Sequence, residues 1–198
     1  MPERYQGGAC RIEDTAKRGL TLEMLEGLFT LIKDVLDAGY KIVDNISGEE
    51  VTIDTINLYH VDEHFVKPLT KKHQCSFVEL AATEETVCEP KFFVSHWWGT
   101  PLIDTIRMLK LHKDKACTFR ESILSNMNED KYYSVWICAF SNRQHNLDSE
   151  DLASGRFQDT PFARAILSDA CLGTVLLFNE TNATPLTRSW CILKPSFP

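Results

Sequence analysis

Three apolar runs in the second half of the chain alternate with segments of helical periodicity. The runs cover residues 92–95, 132–140 and 173–180, and they are rich in β-branched and aromatic side chains, which is typical of strands buried on both faces. Pro101 and Pro161 each open a helical segment, a position that suits the fixed backbone angle of proline. This order predicts an α/β fold with a parallel sheet and flanking helices.

The first half of the chain is predicted to form a mainly helical segment. A helix is expected between Thr21, a suitable N-cap, and Gly39, a suitable stop, because apolar residues recur there at helical spacing. A polar, glycine-containing stretch precedes this helix, and an acidic connector ending in proline places a domain boundary near residue 90. The expected organisation is a flexible lead-in over residues 1–19, a helical segment over 20–90 and an α/β domain over 91–198.

Composition limits the classes of partner and the compartment. The net charge of −7 argues against a general nucleic-acid or anionic-membrane surface, because the chain has no basic excess with which to release counterions. No signal-peptide pattern and no apolar run of membrane-spanning length is visible. The seven cysteines are odd in number, irregularly spaced and without a C-x-x-C pair, which predicts reduced thiols. We therefore expect a cytoplasmic protein with neither nucleic acid nor membrane as partner.

Chemically distinctive side chains follow each of the three predicted strands. Because the carboxyl ends of parallel strands meet at one edge of a sheet, these side chains are expected to lie together. Aromatic rings can stack on a planar ligand, amides can hydrogen-bond it and arginine can contact phosphate, so the set suits a nucleotide. The candidate ligand-binding residues are Ser95, His96, Trp97, Trp98, Asn142, Arg143, Gln144, His145, Arg188 and Trp190.

The same side chains also have a purely structural interpretation. Tryptophans placed just after a strand often seal the end of a sheet against a helix, and Trp190 suits the anchor of a helix start. His96 can order its loop by donating to a backbone carbonyl. Both interpretations stay open. In the ligand hypothesis, Trp97 or Trp98 stacks, Asn142 and Gln144 hydrogen-bond, and Arg143 or Arg188 contacts phosphate.

Five segments, in this order, resemble a TIR-like (Toll/interleukin-receptor-like) domain: FFVSHWWGTP, WICAFSNRQHNL, PFARAI, GTVLLF and PLTRSWC. The resemblance covers about residues 91–193 and is closest to a protist branch, abundant in dinoflagellates, that carries S-H-W-W-G, N-R-Q-H and T-R-x-W-C. It implies a flavodoxin-like parallel sheet. It also implies either signalling through self-association or protein partners, or cleavage of the nicotinamide bond of NAD. NAD is thus a possible substrate or ligand, and no other cofactor is expected.

The catalytic carboxylate that the resemblance implies is replaced in this chain. Active TIR-like NAD hydrolases carry W-C-x-x-E, and Lys194 stands at the glutamate position here. A lysine would repel the cationic transition state of glycosidic cleavage, so NAD hydrolysis is expected to be weak or absent, unless a carboxylate such as Glu180 substitutes. Pro195 ends the last helix soon after it begins, so the domain is expected to be incomplete at its C-terminus, which favours association or instability.

Two further chemistries compete with the TIR-like hypothesis. His60, Glu63 and His64 match H-x-x-E-H, which on a helix would present both histidines on one face to zinc, although Pro68 is expected to end that run. No third ligand is evident, and no metal is predicted. A cysteine hydrolase is the other alternative, although the apolar surroundings of one candidate thiol favour packing. Its residues would be Cys138 or Cys191 with His96 or His145.

Overall fold

The computed structural model describes residues 9–121, 133–145, 147 and 157–178, and these form a sheet with helices on both faces. The sheet has the order β1-β3-β2-β4; β2 is parallel to both β3 and β4, whereas β1 is antiparallel to β3. The predicted α/β class with a largely parallel sheet is confirmed. The strands are β1 (Leu20–Thr21), β2 (Phe92–Ser95), β3 (Ser134–Trp136) and β4 (Gly173–Leu176).

Four of the seven described α-helices precede β2 in the chain. None of the helices in the described ranges has the length and apolar character needed to cross a bilayer. The helices are α1 (Leu22–Asp37), α2 (Leu58–Val61), α3 (Lys67–Thr70), α4 (Phe77–Ala81), α5 (Leu102–Glu121), α6 (Cys138–Ser141) and α7 (Pro161–Ile166). Single turns of 3₁₀-helix cover Thr15–Lys17 and Phe157–Asp159, and a π-helical turn covers Asp62–Val66.

The longest helix of the first half, α1, forms as predicted. The hydroxyl of Thr21 accepts a hydrogen bond from the Met24 N–H at 3.2 Å, which satisfies one free donor of the first turn. Gly39 has a φ of +96°, the left-handed conformation that commonly ends a helix. Leu25, Leu28 and other apolar residues of one face are fully buried, so amphipathic packing fixes the helix against the sheet and α5.

Two apolar layers flank the central strand β2, because successive side chains of a strand point to opposite faces. Phe92 and Val94 face the main core, which includes side chains of α1, α4 and α5. Phe93 faces a smaller cluster with Trp136 and Ala165 of α7, and the Phe93 and Trp136 rings stack at 5.1 Å. The main core contains residues from both sides of position 90, and the boundary predicted there stays a prediction.

The described part of the predicted lead-in is packed, which corrects the expectation of a loose segment. Arg18 is 1% exposed and donates to the carbonyls of Ile12, at 2.9 Å, and of Ser141, at 3.0 Å. The indole N–H of Trp136 donates to the carbonyl of Thr15 at 3.0 Å. These long-range bonds, together with the pairing of β1 with β3, hold residues 9–21 against the sheet.

The apolar run at residues 132–140 forms a shorter strand than predicted. Tyr132 lies outside the described residues, β3 ends at Trp136, and the chain then turns into the short helix α6. The Ser141 hydroxyl accepts a hydrogen bond from the Ile137 N–H at 3.3 Å and donates to the Arg18 carbonyl at 3.0 Å. A side chain therefore supplies the partner that a longer ladder would have given Ile137.

Candidate functional site

Ser95 is the last residue of β2, the strand whose parallel neighbours β3 and β4 lie on opposite sides of it. After β2 the chain runs to β3 on one side and then to β4 on the other, and ligands of open α/β sheets bind outside such a switch point. The Ser95 carbonyl accepts from the Leu177 N–H at 2.9 Å, so the pairing with β4 continues to this edge. The Ser95 hydroxyl is fully buried and has no hydrogen-bond partner within the described residues.

The loop after β2 folds tightly over its own glycine. His96 is buried, whereas Trp97 and Trp98 are partly exposed. The Trp97 indole lies on Gly99, where an added Cβ would be only 2.4 Å from the ring. The Thr100 N–H donates to the Trp97 carbonyl at 3.2 Å. Glycine at position 99 is therefore required by the close approach of the indole.

Trp98 joins this loop to two other elements. Its Nε1–H donates to the Sγ of Cys138 in α6 at 3.1 Å, and its carbonyl accepts from the Leu58 N–H of α2 at 2.9 Å. Its ring lies 5.4 Å from the half-exposed ring of Tyr59. Sequence reasoning missed Tyr59, because nothing local in the short helix α2 signals that it meets an indole 39 residues away in the chain.

Arg143 binds a buried carboxylate at the base of the loop that follows α6. Its Nη2 and Nε donate to the two oxygens of Glu79 at 2.6 and 3.0 Å, and its outer side contacts Glu13 at 3.4 Å. Arg18 approaches the same carboxylate at 3.8 Å. The guanidinium proposed for phosphate thus lies in a bidentate pair with a fully buried glutamate.

The electrostatics of this cluster favour the charged form of Glu79. Burial by itself raises the pKa of Glu79, but hydrogen bonds from Arg143 and from the N–H groups of Ser76 and Ile12, together with the charge of Arg18, lower it to about 2. Ser76 and Glu79 also form a capping box at the start of α4. The carboxylate therefore ties α4, residues 9–21 and the loop after α6 together.

The other described polar residues of the loop after β3 also have partners within the chain. Gln144 donates from Nε2 to the carbonyl of Cys138 at 2.8 Å, which places it beside the contact between Cys138 and Trp98. The Asn142 Oδ1 accepts from the Thr15 hydroxyl at 3.4 Å. His145 Nε2 lies 3.0 Å from the Thr70 hydroxyl of α3, and since that hydroxyl donates to Val66, it accepts from the imidazole.

The structure thus brings only part of the predicted set together. Beside the end of β2, Cys138 bonds to both Trp98 and Gln144. The partners of Asn142, Arg143 and His145 belong instead to the N-terminal half of the chain. The remaining predicted residues lie outside the described residues. These are Arg188, Trp190, the position of Lys194, the alternative carboxylate Glu180 and the alternative nucleophile Cys191.

The two histidines of the H-x-x-E-H motif contact separate partners. His60 Nε2 lies 2.9 Å from Asp44 Oδ2, and its Nδ1 accepts from the N–H of Asn57 at 3.3 Å. His64 Nδ1 lies 3.2 Å from the hydroxyl of Tyr40. Within the described ranges, no group of three or more His, Cys, Asp or Glu side chains has the geometry of a metal site.

The helical run that carries this motif continues past Pro68, contrary to prediction. The π-helical turn Asp62–Val66 separates α2 from α3, and the Lys67 N–H donates to the Asp62 carbonyl five residues earlier. In this turn the N–H group bonds to the carbonyl five residues earlier instead of four. The turn lies just before Pro68, which has no N–H to donate. The run thus extends to Thr70, where it meets His145.

Comparison with known proteins adds no relative to this picture: no family model, curated protein or solved structure matches the chain.

Proposed function

We propose that the chain is a TIR-like signalling and interaction module that works by association, with a degenerate NAD-type pocket. The observation that carries this proposal is that the polar side chains after β3 are hydrogen-bonded to other parts of the same chain. Asn142, Arg143 and Gln144 each make hydrogen bonds within the chain, at the edge where a ligand of this fold class would be held.

The pair of Arg143 with Glu79 is the strongest part of this argument. A phosphate could recruit Arg143 only by leaving the buried Glu79 carboxylate with fewer donors. Removing one partner of a buried ion pair generally costs about 3–5 kcal/mol, because the remaining charge is left uncompensated. Recruitment of Arg143 by a nucleotide phosphate would lose a comparable part of its binding energy.

The strand order agrees with the fold that the resemblance implies. Numbered among themselves, the three parallel strands have the order 2-1-3, with β2 in the centre. A flavodoxin-like sheet begins with this order. The agreement supports the TIR-like hypothesis at the level of topology, and the proposed activity depends on the site and its surfaces.

Exposed apolar side chains flank β4 and are the residues that we assign to association. Val175 and Leu177 are buried in the main core, and the alternation of a strand turns their neighbours to the opposite face. Leu172 and Phe178 stand at the two ends of β4 and are 61% and 49% exposed, and Leu167, five residues before Leu172, is 53% exposed. Exposed large apolar side chains favour protein contacts. We call Leu167, Leu172 and Phe178 the β4 surface.

Sedimentation equilibrium of the purified chain over a wide concentration range tests the proposal. We expect the average mass to rise with concentration in the wild type and to fall toward that of a monomer in Leu172→Lys. Leu111→Lys on α5 is the matched control, since Leu111 is 55% exposed outside the β4 surface and should leave association unchanged. A wild type that stays monomeric throughout, or an equal effect of both variants, contradicts the proposal.

A further inference from the structure

The ends of β2 and β3 bring a serine and a cysteine side by side. The parallel register pairs Phe92 with Val135 and Phe93 with Trp136, and Ile137 continues β3 in extended conformation, with φ −125° and ψ 121°. Two residues beyond the pair of Phe93 with Trp136, Cys138 therefore comes opposite Ser95, on neighbouring strands that are about 4.8 Å apart.

Both side chains belong to the same face of the sheet. Ser95 alternates with Val94 and so shares the face of Phe93, while Cys138 packs against the cluster of Phe93 and Trp136. The Ser95 hydroxyl is fully buried and has no hydrogen-bond partner within the described residues. A buried hydroxyl without a partner is unfavourable, and it points to a group that supplies one.

The thiol of Cys138 has the surroundings of a reactive cysteine. It is partly exposed, and its Sγ accepts the Trp98 indole N–H at 3.1 Å. A hydrogen-bond donor directed at sulfur favours the thiolate, which is the nucleophilic form. The apolar run around Cys138 predicted simple packing, and its contact with Phe93 and Trp136 agrees with that. The hydrogen bond from the Trp98 indole is a polar contact that packing does not require.

We propose that Cys138 is a site of reversible oxidation by hydrogen peroxide, at which the Ser95 hydroxyl donates a hydrogen bond to the oxygen added to sulfur. The thiolate sulfur attacks one peroxide oxygen, the S–O bond forms, the O–O bond breaks and hydroxide leaves. The sulfur loses two electrons and the peroxide gains them, which gives a sulfenic acid. A second thiol can then displace the sulfenic oxygen as water, which forms a disulfide with Cys138, and attack of a third thiol on the sulfur of the second releases Cys138 in its reduced form.

Two other cysteines provide controls within the same molecule. Burial, with a contribution from the nearby Glu79 charge, raises the pKa of Cys75 to about 11. Burial also raises the pKa of Cys88, which is partly exposed like Cys138. A hydrogen bond with the Ser134 side chain partly offsets the effect of burial at Cys88, but burial prevails at both thiols. Both are expected to react slowly.

The test is oxidation with hydrogen peroxide in the presence of dimedone, which traps sulfenic acids, followed by peptide mass spectrometry. We expect Cys138 to be labelled at least about tenfold faster than Cys88 or Cys75 in the wild type. Trp98→Phe keeps a ring but removes the donor, and it should slow labelling of Cys138 by about tenfold, the effect of losing a hydrogen bond to a charged sulfur. Ser95→Ala should leave the initial rate within about twofold and increase conversion to the irreversible sulfinic acid.

The wild-type comparison alone can overturn the proposal, whether or not either variant folds. Equal labelling rates for Cys138 and Cys88 would show that the thiol is packed and unreactive. Unchanged labelling of Cys138 in a folded Trp98→Phe protein, checked by circular dichroism, would remove the role of the indole. An unchanged yield of sulfinic acid in Ser95→Ala would remove the role of the hydroxyl.

Discussion

Glu79→Gln is the substitution whose consequence follows most directly from the structure. The fully buried carboxylate accepts hydrogen bonds from Arg143 and from backbone N–H groups, and the charge of Arg18 lies 3.8 Å away. Together they lower its pKa from 4.5 to about 2, although burial by itself raises it. At about 1.36 kcal/mol per pH unit, that difference corresponds to roughly 3 kcal/mol of stability at neutral pH. Glutamine keeps the size and the acceptor but removes the charge.

The sign of the pH dependence follows from the lowered pKa of Glu79. The unfolded chain binds a proton at this group near pH 4.5, whereas the folded chain does so only near pH 2. The stabilisation is therefore complete above pH 4.5 and is lost as the pH falls toward 2. Wild type and Glu79→Gln should differ by about 3 kcal/mol at pH 7, and the difference should shrink through this window.

Urea denaturation at a series of pH values measures this difference. The control is Glu13→Gln, because Glu13 is the exposed carboxylate that contacts the outer side of Arg143 and should matter little. The argument is refuted if Glu79→Gln is no more destabilising than Glu13→Gln at pH 7. It is refuted equally if the difference between wild type and Glu79→Gln stays constant from pH 5 to pH 2.

Three further predictions concern local structure. Gly99→Ala should lower stability by about 1–3 kcal/mol in thermal unfolding, because its Cβ would meet the Trp97 indole at 2.4 Å. Thr21→Ala should lower stability by about 1 kcal/mol by removing the N-cap of α1, whereas Thr21→Ser should not. Asp44, whose pKa is lowered to about 2 chiefly by the backbone N–H of Ser47, should titrate by NMR well below pH 3.8, and titration near 3.8 would contradict this local geometry.

Local sequence patterns were sufficient to predict α1 and β2. The apolar spacing and the cap at Thr21 define α1, and the position of β2 follows from an apolar run that ends at a change to polar and aromatic residues. The parallel sheet also follows, since strands separated by helices need crossover connections. The end of β3 could not be predicted from its composition, because it depends on the Ser141 hydroxyl, which also bonds to Arg18 far away in the chain.

The partners of the candidate site could not be predicted from the sequence. Arg143 meets a glutamate 64 residues away, Asn142 meets a threonine 127 residues away, and His145 meets a threonine 75 residues away. No local periodicity encodes such pairs, which depend on how the N-terminal half packs against the sheet. The sequence could show that these side chains follow a strand, but it could not show that the chain itself supplies their partners.

Release of nicotinamide from NAD by the purified chain tests the central claim most directly, with Lys194→Glu measured in parallel. A module that works by association is expected to release no nicotinamide above the buffer rate at any concentration. Activity in Lys194→Glu alone would agree with a pocket that has lost only its carboxylate. Steady turnover by the wild type, with the rate proportional to protein concentration, would contradict the account and show that another carboxylate acts in place of the one that Lys194 replaces.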